Sequence, residues 1–308
     1  MRRPSLFAFA SSLLLAAAWT APCASSQAEP ACEAHDPLRR PFFGDTHVHT
    51  ALSFDAMGQG TRAGPRDAYR FARGEAIGLP PFDAEGFALR TMQLRRPLDF
   101  AMVSDHAELL GETRICTTPG LPGHDAYACV LARRWPRLGY ALINGHVFSQ
   151  EHPQRLSLCG EDASRCLEAA RTPWHRIQQA AESATDRSAA CRFTAFVGYE
   201  WTGMPSGDNI HRNVVFRNAN VPELPASFLD SPTPEGLWSA LERDCLHAGV
   251  GCDALAIPHN SNLSNGRMWP AASGPGHEPS AEAARRQARL EPLVEITQHK
   301  GDSECRAG

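Results

Sequence analysis

The chain lacks a surplus of either charge. Its 308 residues carry 30 Lys and Arg against 34 Asp and Glu, a net charge of −4 with histidine neutral. That balance excludes nucleic-acid binding driven by bulk charge. No C-x-x-C pair occurs among its ten cysteines, which argues against a zinc ribbon. It has no internal repeat and, beyond the N-terminal region, no low-complexity tract or long apolar run. Solenoids and further membrane spans are thereby set aside. A composition of 43% hydrophobic and 21% charged residues is that of a globular chain able to bury a sizeable core.

What is present begins with Arg2-Arg3, the apolar run "LFAFASSLLLAAAW" and the small-residue exit "TAPCASSQAEP". This is the pattern of a secretory signal peptide over residues 1–28, with cleavage after Ala24 or Ala28. Pro22 before Cys23 disfavours a lipoprotein signal, and the run is short for a membrane anchor. A periplasmic or secreted chain, with no membrane association after cleavage, is expected. Cysteine use agrees with export. Cys116 and Cys129, Cys159 and Cys166, and Cys245 and Cys252 lie close in sequence, and in an oxidising compartment disulfides are favoured over metal ligation. Nine cysteines remain after cleavage, so one is free or has its partner outside this chain.

Six short apolar runs, read as buried strands, adjoin polar chemistry: "RPFFGDTHVHT", "LDFAMVSDHAE", "FTAFVGYEWTG", "HRNVVFRN", "DALAIPHNSN" and "PLVEITQHKGD". Helices are expected between most of them. These are "GPRDAYRFARGE", "DAEGFALRTMQL" from an N-cap at Asp83, and "TPWHRIQQAAESA" from Thr172 with Pro173 at N1. "TPEGLWSALERDCLHAG" follows from Thr233 with Pro234 at N1 and Gly249 closing it, and "PSAEAARRQARLEP" starts at Ser280. Alternating strands and helices argue an α/β fold with a parallel sheet. Residues 29–308 form one domain, with a disulfide-pinned insertion at about 114–171.

In "GDTHVHT", His47 and His49 leave a strand on the same face, the arrangement of two imidazoles sharing a cation. A surface histidine pair is the ordinary alternative. His106 with Asp105, Glu200 and His259 also sit just past apolar strands, where α/β folds gather reactive groups. Five strand ends that all offer His, Asp or Glu favour a shared centre. Imidazole with carboxylate suits zinc, manganese or iron. Asp45 and Asp105 are candidates to orient ligand histidines or to cap strand ends. Arg267, His299 and Lys300 are weaker candidates for substrate contact.

"DTHVHTALSFDA" and "SDHAE" resemble the first two motifs of the PHP (polymerase and histidinol phosphatase) superfamily of metal-dependent phosphoesterases. "GYEWT", "HRNVVFRN", "IPHNSNLSNGRMW" and "VEITQHKGDSE" are similar to stretches of its secreted bacterial branch, labelled only as a domain of unknown function, number 3604. The resemblance covers nearly all of the chain after the signal peptide. It implies a distorted (β/α)7 barrel that holds two or three divalent ions. It implies His47, His49, Asp55, His106, Glu200, His211 and His259 as metal ligands, with Glu200 bridging. It also implies hydrolysis of a small-molecule phosphoester by metal-bound hydroxide, with Glu200 and Asp105 as catalytic candidates. The superfamily closes its site with a late-strand Asp-x-His, which the late strands here lack. An N-terminal portion of a longer protein, with a barrel incomplete at its C-terminus, is therefore expected. Two other readings remain: an amidohydrolase-type enzyme acting on amides or lactones, and a truncated, non-catalytic metal-binding protein.

Overall fold

The computed structural model describes residues 32, 38–148, 153–269, 280–298 and 300–302. The expected signal peptide and Cys23, His299 and Cys305 lie outside the described residues. In chain order, β1 (Gly44–Val48), α1 (Phe54–Gly58) and α2 (Pro65–Ala72) precede a hairpin of β2 (Ile77–Phe82) and β3 (Ala88–Met92). Then come β4 (Phe100–Val103), α3 (Leu110–Thr117), α4 (Tyr127–Arg134), α5 (Pro136–Phe148), α6 (Ser164–Ala184) and β5 (Thr194–Trp201). The remainder is β6 (Arg212–Phe216), α7 (Pro234–Leu241), β7 (Ala254–Pro258), α8 (Ala281–Leu290) and the two-residue strands β8 (Thr297–Gln298) and β9 (Gly301–Asp302).

The main sheet has the order β1-β4-β5-β6-β7. β1, β4 and β5 run parallel, whereas β6 is antiparallel to both its neighbours. The expectation of a parallel sheet is therefore corrected at β6. A parallel return needs a long crossover, and the connection 202–211 holds only one 3-10 turn, Pro205–Gly207. Among the described residues the sheet is open and no closed barrel is present, so what the structure shows is the coarser architecture, a mixed α/β fold with parallel strands β1, β4 and β5 in its sheet. The sixth apolar run is also corrected. Residues 291–296 form no strand, and only β8 and β9 pair, apart from the main sheet. A single bond from the Glu295 N–H to the Pro258 carbonyl ties this segment to the end of β7.

Two helix expectations also change. "DAEGFALRTMQL" is not a helix but the turn and second strand of the β2–β3 hairpin. The Asp83 N–H donates to the Phe87 carbonyl, the Phe87 N–H donates to Asp83 Oδ1, and Gly86 takes φ +93°, a turn that glycine permits. Thr172 does not start a helix, because α6 runs through Pro173. Its buried stripe of Cys166, Ala169, Ala170, Pro173, Trp174, Ile177, Ala181 and Ala184 keeps helical spacing on both sides of the proline. Packing of that face outweighs the roughly 3 kcal/mol that an internal proline costs. α7 and α8 start as expected. Thr233 Oγ1 accepts from the Gly236 N–H, and Ser280 Oγ accepts from the Ala283 N–H.

The core lies between the sheet and α2, α3 and α6. It centres on Trp174, Ile177, Val197, Tyr199 and Phe216, each at most 2% exposed. Disulfides join Cys116–Cys129, Cys159–Cys166 and Cys245–Cys252, and a fourth, Cys32–Cys191, closes 159 residues. Every described cysteine is thus paired, as an oxidising compartment permits. No described helix is long and apolar enough to cross a membrane. Two of the disulfides close within 114–171, yet α6 passes unbroken through the expected edge of that insertion.

Candidate metal centre

The β1 pairing is irregular between Asp45 and Val48, a local shift that re-aims side chains. Asp45 Oδ1 accepts the His47 N–H at 2.8 Å. Asp45 therefore braces its own strand. At the end of β4, Asp105 is buried and turned to the neighbouring loop. Its Oδ1 accepts the Thr50 N–H at 2.5 Å, and its Oδ2 accepts the Thr50 hydroxyl at 2.7 Å. Burial lifts its pKa to about 6 against those two bonds. Asp105, a catalytic candidate from sequence, thus ties the β1 and β4 loops together. Its backbone carbonyl accepts the Glu200 N–H, and the Glu200 carbonyl accepts the Ala107 N–H. These bonds set His106 beside Glu200 at the strand ends.

Glu200, 1% exposed, is the hub. His49 Nε2 lies 2.7 Å and His47 Nε2 3.2 Å from its Oε2. His211 Nδ1 lies 2.6 Å, His106 Nδ1 3.6 Å and His259 Nε2 3.9 Å from its Oε1. Asp55, in the first turn of α1, places Oδ2 2.9 Å from His49 Nδ1 and 3.7 Å from His106 Nε2. All seven residues expected as ligands are therefore brought together. Their donor atoms fall into overlapping triads: His47, His49 and Glu200; His49, Asp55 and His106; Glu200, His211 and His259; and His47, His259 and Glu295. Within each triad the atoms lie within 4.8 Å of one another. A further grouping, Glu112 with Cys159 and Cys166, offers no thiolate, because the two cysteines are disulfide-bonded.

Glu295 is the residue sequence reading missed. Its Oε1 lies 2.9 Å from His47 Nδ1, and it supplies a carboxylate beside His259. An acid inside the apolar run "PLVEIT" was the available signal. Thr202 was missed too; its Oγ1 lies 2.5 Å from His106 Nδ1. Of the weaker candidates, Lys300 Nζ donates to Asn209 Oδ1 at 2.8 Å. Burial lowers the pKa of this lysine against the pull of Glu295 and Glu200. It is the only lysine in the chain. Arg267 instead pairs with Asp208 at 3.1 Å and is 53% exposed.

The electrostatics follow from the crowding. Burial opposes a charge on His47, yet Glu200 and Glu295 overcome it and raise its pKa to about 9. Burial is likewise overcome at His49 by Glu200 and Asp55. His259 goes the other way: burial, His47 and His211 hold it neutral. Glu200 stays ionised despite its burial because His106 and His49 hold charge beside it and His211 hydrogen-bonds its Oε1. His211 Nε2, His259 Nε2 and Asp55 Oδ1 are buried without any hydrogen-bond partner. A buried polar atom without a partner asks for an explanation, and here the three lie in triads of imidazole and carboxylate donors, whose lone pairs suit a divalent cation.

Fold and site together define a mixed α/β protein whose strand ends gather histidines and carboxylates able to hold metal. The chain belongs to the family described as Protein of unknown function (DUF3604), whose model matches residues 36–308. Neither the curated proteins nor the solved structures contain a match to it.

Proposed function

We propose that this chain is an exported, PHP-like, metal-dependent hydrolase whose substrates are phosphoesters. The observation that carries the reading is the single buried carboxylate of Glu200 facing five histidines, with His211 Nε2 and His259 Nε2 left unpartnered. His47, His49, Asp55, His106, Glu200, His211 and His259 would hold roughly two or three ions, with Glu295 an additional donor. When bound, divalent ions supply Lewis acidity toward phosphoryl oxygens and lower the pKa of water. The chain's own residues do the rest. Asp105 fixes the loop after His49 through Thr50, and Thr202 orients His106. Lys300 sets a cation beside the carboxylates, where it can meet an anionic substrate oxygen. The four disulfides and the signal-like residues 1–28 support export.

The test is metal content per chain by elemental mass spectrometry, on protein purified without chelator or affinity metal. It is followed by hydrolysis of bis(p-nitrophenyl) phosphate against p-nitrophenyl acetate. Bound metal and phosphodiester turnover, both lost in Glu200→Gln, are expected. Turnover of the carboxylic ester alone would replace phosphoester chemistry by acyl chemistry. A folded, metal-free protein would overturn the reading.

A further inference from the structure

A small cavity of about 50 Å³ lies against the candidate metal centre. Asp55, His106 and His211 line it, three of the seven residues expected as ligands, together with Thr202, which holds His106. Two of the unpartnered buried atoms, Asp55 Oδ1 and His211 Nε2, belong to these walls. The cavity therefore borders side chains whose bonding the protein leaves open. It admits roughly three to five water-sized groups, room for a headgroup such as a phosphoryl and not for a whole substrate.

The remaining polar wall comes from α5, which supplies no ligand. Tyr140 and Asn144 both line the cavity, four residues apart on one face of that helix. The Tyr140 ring packs on Phe54 of α1, with centroids 5.8 Å apart, and α1 also carries Asp55. Gly58 permits this approach, because a Cβ there would stand 3.2 Å from Tyr140 Cβ. Asn144 Nδ2 donates to the Tyr140 carbonyl at 2.8 Å, while the Tyr140 hydroxyl bonds to no described residue. Burial, and then the charges of Asp55 and Glu200, raise the pKa of this phenol, so it keeps its proton and faces the centre as a donor.

We propose that Tyr140 contacts the substrate, its hydroxyl donating a hydrogen bond to a phosphoryl oxygen seated in this cavity beside Asp55, His106 and His211. This rests on the proposed reading of the centre as one that handles phosphoesters. It gives the helix α5, within the expected insertion, a part in recognition that none of the ligand motifs assigns.

The experiment titrates inorganic phosphate calorimetrically into the full disulfide-bonded chain loaded with zinc and freed of excess metal, with zinc per chain measured in parallel. Wild type is compared with Tyr140→Phe, which keeps the ring on Phe54, and with Tyr127→Phe. Tyr127 lies on α4, 82% exposed and outside the cavity. Loss of a hydrogen bond to a charged oxygen predicts about tenfold or more weaker phosphate binding in Tyr140→Phe. Zinc content and circular dichroism should be unchanged, and Tyr127→Phe should match wild type. Equal phosphate affinity in wild type and Tyr140→Phe overturns the proposal and leaves the metal reading intact. So does a zinc-loaded wild type that binds no phosphate. Loss of zinc in Tyr140→Phe also overturns it, because the residue would then serve the ligands and not the substrate. A wild type that takes up no zinc overturns the centre and the Tyr140 contact together.

Discussion

His211 and Arg212 are consecutive at the start of β6, and both are buried, but they enter opposite kinds of cluster. Arg212, 0% exposed, donates through Nε to Glu291 Oε1 at 2.9 Å, and its two Nη groups reach the Ile210 and Met268 carbonyls. Trp238 Nε1 and Gln287 Nε2 complete Glu291. Donors and acceptors match there, and the ion pair is closed. On the other side, Glu200 faces five imidazoles, and two of them keep an unpartnered Nε2. Buried charge alone therefore does not mark a functional site. The mark is that the unpartnered atoms are metal-ligating ones, His211 Nε2, His259 Nε2 and Asp55 Oδ1, within triads of histidine and carboxylate donors.

The largest expected effect tests the open cluster. Glu200→Gln removes the negative charge that five histidines surround, and divalent metal content should fall to near background. Thermal unfolding of the metal-free variant at pH 7 should fall below that of metal-free wild type, because His47 and His49 lose the carboxylate that holds their protons. A variant that retains its metal would show that Glu200 is not the hub, and the contrast with Arg212 would collapse. The second test addresses the closed cluster. Arg212→Leu strands the Glu291 carboxylate, and breaking a buried pair costs about 3–5 kcal/mol. Denaturant midpoints should fall accordingly, while folded Arg212→Leu should still bind metal. Loss of metal at full stability would reverse the two assignments.

Protons separate the two clusters further. In the metal-free centre His47 titrates at about 9, so at pH 7 it carries a proton that an incoming cation must displace. A histidine with a raised pKa keeps its proton below that value, so metal binding should weaken as pH falls and strengthen as pH rises toward 9. Calorimetry of zinc binding at pH 7, in buffers of different ionisation enthalpy, should report proton release from wild type and from Arg212→Leu alike. No net release would contradict the protonated His47.

Much of the site was legible in the sequence because its signals are local. An apolar run ending in His, Asp or Glu can be seen within ten residues, and the seven expected ligands do converge on one centre. Features set by distant partners were not legible. Cys32–Cys191 joins cysteines with no sequence proximity. Nothing near Arg212 in sequence announces the Glu291 that pairs with it or the Trp238 that shares that carboxylate. Glu295 lay inside what read as a sixth strand, and its role depends on where 291–296 crosses His47. The hairpin was mistaken for a helix because "DAEGFALRTMQL" has helix-compatible residues after a good N-cap. The turn at Gly86 and the pairing with Ile77–Phe82 decided otherwise.

The smallest expected effect sharpens the comparison within the open cluster. Thr202 Oγ1 sits on His106 Nδ1 at 2.5 Å, while His106 Nε2 faces Asp55 at 3.7 Å. The hydroxyl thus selects which ring nitrogen is presented to the centre. Removing such an orienting partner costs about tenfold or somewhat more in metal affinity, or ~1.4 kcal/mol. Thr202→Val, nearly equal in volume, should lower zinc affinity by about that factor at unchanged stoichiometry, whereas Thr202→Ser should restore it. A value of zero for Thr202→Val would mean that packing alone orients His106. The completeness that distinguishes the Arg212 cluster would then extend to part of the histidine cluster as well.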